Sequence, residues 1–263
     1  MSREDKDKES NGGAGKGSIY VIGIGPGGPE HLTALALKRL SEADAVVGYK
    51  RYVELVSPFI EGKEIHSRGM MQEVERCKIA LELAATGRRV AVVSSGDSGI
   101  YGMAGLVLEL VFAGEKETRP EVEIIAGVPA FVAAAALLGA PLMHDFASIS
   151  LSDLLTPWES IERRVEAAAS ADFVIALYNP KSKKRITGLQ RALDIVSKYR
   201  SDDTPVGIVR NATREGESVV LTTLGTLSEH YDSIDMLTLL LIGSSTTRAK
   251  DGLMVTPRGY RGV

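Results

Sequence analysis

The sequence has a single cysteine, Cys77, so no disulfide can form within the chain. It has no Cys/His cluster at metal-ligand spacing and no secretory leader pattern, and the expected setting is a reducing cytoplasm. Cys77 lies in an amphipathic helical stretch and reads as a packed thiol. An excess of one charge is also missing. Lys and Arg number 31 against 34 Asp and Glu, a formal net charge of -3, so no global basic field exists to hold nucleic acid or an anionic membrane. Any anionic ligand must be held by local clusters. The longest uncharged run, Ala126 to Met143, approaches membrane-spanning length, but Pro129, Gly139 and Pro141 interrupt it and its middle is alanine. A buried helix bounded by turns is expected there instead.

What is present is a chain of 263 residues with 44% hydrophobic content, enough for one large α/β domain or two small ones. Residues 1–17 are charged and then glycine-rich, without apolar period, and read as a disordered tail. Strand patterns follow at Ile19 to Ile24, Ala45 to Val47, Val90 to Val93 and Val122 to Ile125, with helices expected over Glu30 to Ser41 and Met70 to Thr86. Thr86-Gly87 is a plausible stop for the second helix. His66 to Met70 ends another strand, and Met70-Met71 are expected to pack at the helix start. Strands alternating with helices imply a mostly parallel sheet, whose ligands sit beyond the carboxyl ends of the strands.

A second series begins after the alanine-rich helix. Strands are expected at Ser148 to Leu151, Phe173 to Leu177, Pro205 to Val209, Ser218 to Leu221 and Met236 to Ile242, with helices near Pro157 to Ser170 and Ser182 to Tyr199. Thr156-Pro157-Trp158-Glu159 reads as a helix start, with Thr156 as cap and Glu159 reaching back. A hinge near Gly127 divides the chain into an N-terminal α/β domain, residues 18–127, and a C-terminal one, residues 128–263.

Three turns carry the chemistry. The first, Gly23-Ile24-Gly25-Pro26-Gly27-Gly28, satisfies the G-x-G-x-x-G dinucleotide pattern. The acid that reading needs after the second strand is missing, because the strand runs into Gly48-Tyr49-Lys50-Arg51. The second turn, Ser94 to Ala104, has three glycines and one carboxylate, Asp97, which reads either as a ligand contact or as a helix N-cap. The third is Gly127-Val128-Pro129-Ala130.

In this order the three turns resemble the signatures of the tetrapyrrole (precorrin) methylase family, over about Ser18 to Thr247. Val47-Gly48-Tyr49, Ser95 to Ala104, His144-Asp145-Phe146, Ile149 to Trp158 and Leu177 to Pro180 with Ser182 and Arg185 resemble the family's precorrin-3B C(17)-methyltransferase and cobalt-factor III methyltransferase branch. Ser98 stands where the family often has proline. The resemblance implies an α/β protein of class III methyltransferase fold, two α/β/α domains with a cofactor cleft between them, in a homodimer. It implies S-adenosyl-L-methionine as cofactor, lined by Pro26, Ser95, Gly96, Asp97, Pro129 and Ala130 on one side and by Tyr178, Asn179, Ala212 and Gly243 on the other. The implied substrate is a precorrin-3-type tetrapyrrole, methylated at C17 in cobalamin synthesis and contracted in the same reaction.

Such a donor carries its own electrophile, so neither metal nor covalent nucleophile is expected. Alignment in a water-poor site contributes about 7 to 11 kcal/mol to reactions of this kind. Asp97, His144 and Asp145 are the candidates for acid/base help, the last two placed by the sequence in a loop between the domains. Substrate carboxylates suit arginine forks, and Arg51 and Arg185 are the preferred anchors, within the clusters Lys50-Arg51 and Lys181, Lys183, Lys184 and Arg185, with Arg68 in the stretch His66 to Met70 as a third contact. The alternatives are a methylase of the same family acting at another carbon, a nicotinamide-dependent oxidoreductase, and a non-catalytic tetrapyrrole carrier.

Overall fold

A computed structural model describes residues 16–69, 71–182 and 185–262. Most of the expected tail, together with Met70, Lys183 and Lys184, lies outside the described residues. The chain forms two compact units, one reaching to Gly25 and resuming over Pro29–Gly127, the other combining Pro26–Gly28 with the chain from Val128.

The first unit contains β1 (Ser18–Gly23), α1 (Ala34–Glu42), β2 (Ala45–Tyr49), α2 (Lys50–Leu55), β3 (Glu64–Arg68), α3 (Glu73–Ala85), β4 (Arg89–Ser94), α4 (Ala104–Ala113) and β5 (Glu121–Ile125). The strands form one parallel sheet in the order β3-β2-β4-β1-β5. Strand alternation splits the core in two. Ile19, Val21, Val90 and Val92 face α3 and α4, while Ile22, Ala91 and Val93 pack with Ala36 and Leu40 of α1. Both faces of the central strands are therefore covered, which is why β1 and β4 are apolar at nearly every position. Cys77 is buried among the α3 contacts, and burial pushes its thiol up to about 11, an inert packed group.

Two details depart from the sequence reading. The expected Glu30 to Ser41 helix is broken into a short 3-10 turn, Pro29–His31, and α1, because the Thr33 hydroxyl accepts the Ala36 amide at 3.1 Å and starts the helix afresh. Met71 does not pack: it is 83% exposed, and α3 begins only at Glu73.

The second unit contains α5 (Ala130–Leu138), β6 (Gly139–Ala140), β7 (Phe146–Ser150), α6 (Trp158–Ser170), β8 (Val174–Tyr178), α7 (Gly188–Val196), β9 (Pro205–Arg210), β10 (Ser218–Thr223), β11 (Thr238–Ile242), β12 (Arg248–Lys250) and β13 (Leu253–Val255). Its main sheet, in the order β10-β9-β11-β8-β7, is mixed rather than mostly parallel: β7 and β8 are the one pair of neighbours in parallel among the described residues, and β11 opposes both β8 and β9. For β9 and β10 the reason is connection length, since residues 211–217 are too few for a crossover helix and fold the two strands into an antiparallel pair. Ile175, Leu177, Leu240 and Ile242 pack under α6 and α7, and Ala176, Leu239 and Leu241 pack under α5. A small sheet, β12-β13-β6, adjoins α5. Thr156 does not cap α6. Pro157 occupies the cap position, and no side chain bonds the first turn. The expected Ser182 to Tyr199 helix shortens to α7, and the Ser182 and Arg185 backbones bond each other ahead of it. No helix among the described residues is long and apolar enough to cross a membrane.

The first sheet is also tied at its amino edge. The Asp44 carboxylate accepts the Arg89 amide at 2.8 Å and the Arg89 guanidinium at 2.7 Å, joining the starts of β2 and β4. The Arg89 side-chain and backbone bonds lower the Asp44 carboxyl from 3.8 to about 2. A depressed carboxyl contributes stability above its unfolded pKa that is lost as pH falls through the folded one. Asp44→Asn should therefore flatten the stability profile between about pH 4 and pH 2, by less than about 1 kcal/mol because both partners are solvent-screened. Urea midpoints across that range check it, and identical acid limbs in parent and variant would contradict it.

Candidate active site

In the first sheet all strands point one way, so the outgoing turns gather at one edge. From β1 the chain leaves toward α1 on one face, and from the adjacent β4 it leaves toward α4 on the other. Such a divergence opens a crevice at the carboxyl ends of the strands, the position at which α/β sheets bind ligands. The first two glycine turns meet there. The Gly25 amide donates to the Gly96 carbonyl at 3.0 Å, and the Gly96 amide donates back to Gly25 at 2.7 Å. Both glycines have positive φ, +74° and +68°, a conformation side-chain-bearing residues rarely adopt. The third turn closes on the same point. A methyl on Gly23 would lie 2.6 Å from the Gly127 nitrogen, so these backbones touch without room for a side chain.

Asp97 is not a helix cap. The α4 cap position belongs to Met103, and the Asp97 carboxylate accepts the Gly99 amide at 2.8 Å and the Gly127 amide at 3.0 Å. It links the second turn to the third. Nothing in the residue spacing marks this use, because the two amides are separated by 28 positions in the chain. Ser98, at the position often held by proline, is fully buried, and its hydroxyl donates to the Ile125 carbonyl at 3.2 Å. Ser95 is half-buried and Gly96 buried in the same loop.

In the second unit, β7, β8 and β9 end at one edge of the sheet, and the residues expected to line the donor that follow them collect there. The Tyr178 hydroxyl accepts the Phe131 amide at 3.1 Å, which fixes the first turn of α5 beside Pro129 and Ala130. Asn179, with φ +52°, donates from Nδ2 to the Ser150 hydroxyl at 3.0 Å. Ala212 sits between Asn211 and Thr213, both at positive φ. Pro26–Gly28 packs on this turn: the Pro26 carbonyl accepts from Arg214, and a methyl on Gly27 would strike Thr213. The buried Thr213 hydroxyl has no hydrogen-bond partner among the described residues.

Three expected residues lie elsewhere. Because β11 is antiparallel to β8 and β9, its end points to the opposite edge, and Gly243 pairs with Pro205 at the start of β9. There its carbonyl accepts from Arg200, a buried cation that also pairs with Asp172 at 3.1 Å. Burial raises the Asp172 carboxyl, but the Ser245 bonds and Arg200 outweigh it, leaving it below its usual range. His144 and Asp145 precede β7 and so occupy that far edge too, the Asp145 carbonyl accepting the Val174 amide. Their side chains are 54% and 76% exposed and bond mainly each other, and they belong to the second unit rather than to a loop between units. The residues that β11 brings to the site edge are Met236 and Leu237, which precede it, the latter accepting the Asn211 amide.

The cations differ in how far they are engaged. Arg185 donates to Ser152 at 2.7 Å, lies 3.5 Å from Asp153 and also contacts Ser182 and Met236. Arg68 pairs with Glu75 at 3.2 Å. Arg51, one residue past the start of α2, makes no such bond among the described residues. No group of three His, Cys, Asp or Glu side chains among the described residues could hold a metal ion.

The model of the tetrapyrrole (corrin/porphyrin) methylases matches residues 18–228 of this chain. The chain belongs to that family. A Salmonella typhimurium (strain LT2) protein described as "Probable cobalt-factor III C(17)-methyltransferase" is 53% identical over 242 residues, covering 92% of this chain and 99% of that one. A Priestia megaterium "Cobalt-factor III methyltransferase" is 51% identical over 248 residues, covering 94% of this chain and 46% of the longer protein. The crystal structure of the methyltransferase CobJ superposes with a TM-score of 0.86 at 38% identity, covering 92% of this chain and 100% of that one. The methylase fold here is that of the class III S-adenosylmethionine-dependent methyltransferases. The residues of the first unit fit such a donor, because at its crevice Gly23, Gly25, Gly96 and Gly127 bring their backbones together with no room for a side chain.

Asp97→Ala removes both acceptors of the methylase's second and third turns and should cost about 1.5 to 3 kcal/mol, the range for bonds to a charged group. Urea unfolding measures the loss, and amide exchange should accelerate at Gly99 and Gly127. Unchanged protection at both amides would show that the carboxylate does not hold the turns.

Proposed function

We propose that this methylase transfers a methyl group from S-adenosylmethionine to C17 of a cobalt-factor III or precorrin-3B type tetrapyrrole in cobalamin biosynthesis. The observation that carries the reading is the close backbone approach of Gly23, Gly25, Gly96 and Gly127 at the crevice between β1 and β4. The descriptions of the Salmonella and Priestia relatives support the cobalt-containing substrate. The homodimer implied by the resemblance is part of the same proposal.

When bound, S-adenosylmethionine supplies an electrophilic sulfonium methyl group, so the chain needs only to hold and align the two reactants. Ser95, Gly96 and Asp97 line the donor from the first unit, with Asp97 acting by fixing the turns rather than by moving a proton. Pro26, Pro129, Ala130, Tyr178, Asn179 and Ala212 line it from the second. Tyr178 serves this by holding the Phe131 amide, which sets the α5 start in place. Gly243 drops out, because strand direction carries it to the far edge. His144 and Asp145 drop out as acid/base groups for the same reason, so methyl transfer, rather than the ring contraction, is the step the described residues support. Arg51, Arg68 and Arg185 anchor substrate carboxylates.

Calorimetric titration tests the reading. S-adenosylhomocysteine should bind and NAD should not, and incubation with donor and cobalt-factor III should raise the substrate mass by one methyl group. Asp97→Ala should weaken S-adenosylhomocysteine binding by about tenfold, the equivalent of about 1.4 kcal/mol. Binding of NAD alone would discard the methylase reading. Donor binding with no mass gain would leave the family and remove the assigned step.

A further inference from the structure

The end of the first sheet away from β1 holds an open concavity of about 650 Å³ that the donor turns do not use. Tyr49, Lys50, Arg51, Glu54, Ser67 and Arg68 line it, three cations against one carboxylate. It sits at the carboxyl ends of β2 and β3, and β2 neighbours β4 in the parallel sheet. The concavity therefore shares an edge with the Gly25–Gly96 pairing, displaced by about one or two strand spacings of roughly 4.8 Å each.

Two of the three cations there are not neutralised from within. Lys50 and Arg51 are exposed and adjacent, and neither makes a hydrogen bond or ion pair among the described residues. Arg68 is held in place by Glu75 and by the Ser67 carbonyl, and Tyr49 packs edge-on against Tyr52 at 5.1 Å, so one wall is fixed. Arg185 is different, since Ser152, Asp153, Ser182 and Met236 already surround its guanidinium. Two adjacent like charges in a concavity repel each other until an anion arrives, and the volume is in the range of small-ligand sites.

We propose that this concavity receives a carboxylate-bearing arm of the tetrapyrrole, with Lys50 and Arg51 as the specificity-determining cations and Tyr49 and Ser67 as its wall. The inference rests on the tetrapyrrole reading above and deepens it: seating one arm at β2 and β3 fixes which side of the macrocycle faces the donor turns.

Uroporphyrin I, with eight carboxylates, serves as the probe, followed by its fluorescence anisotropy on the full chain. The parent should bind with an affinity that falls as salt is added. The double variant Lys50→Gln/Arg51→Gln should bind at least about tenfold more weakly, with S-adenosylhomocysteine affinity and circular dichroism unchanged. Parent-like binding by the double variant, with loss in Arg185→Gln instead, would overturn the assignment of the arm to this concavity while leaving the tetrapyrrole reading intact. Displacement of the probe by millimolar inorganic phosphate but not by acetate would mark a phosphate site and overturn the carboxylate assignment. A parent that binds S-adenosylhomocysteine but no uroporphyrin would sink the substrate reading, and this inference with it.

Discussion

Two backbone hydrogen bonds between Gly25 and Gly96 hold the turns of the first unit in register. They form because β1 and β4 are neighbours in a parallel sheet and both end at the same edge, while the chain leaves them toward opposite faces. The sheet opens a gap, and the glycines let two backbones reach across it. Asp97 then pulls the third turn onto the first two through the Gly127 amide. A side chain at Gly23 or Gly127 would separate these turns before any ligand arrived.

Strand direction governs the second unit in the same way. The ends of β7, β8 and β9 share one edge, and Ser150, Tyr178, Asn179 and Ala212 gather there by that fact alone. The reversed β11 presents its beginning to that edge and its end to the other, so Leu237 approaches Asn211 while Gly243 is drawn to Arg200. His144 and Asp145 are separated from the site by the same logic, since they lead into β7 rather than out of it.

Periodicity and turn chemistry made much of this legible in the sequence. The apolar runs of β1 and β4 mark strands buried on both faces, and Pro129 and Gly139 mark the ends of the alanine-rich α5, because proline and glycine act locally. The three turns were legible for the same reason. Strand direction was not, although the short stretch between Arg210 and Ser218 excluded a crossover helix and so signalled a reversal. A separate reversal, that of β11 against β8 and β9, displaced Gly243 from the expected site. Pairings across the chain, such as Asp97 with Gly127, Ser98 with Ile125 and Arg185 with Ser152, leave no mark in residue spacing because only the folded sheet brings them together.

A nitrogen-15 amide titration of the protein with S-adenosylhomocysteine addresses the central claim most directly. The account predicts that the largest shifts fall on Gly25, on Gly96 to Gly99 and on Gly127, moving together with one dissociation constant. Saturable binding that left those amides in place, with the shifts concentrated around His144, Gly243 and Ser245 instead, would contradict it.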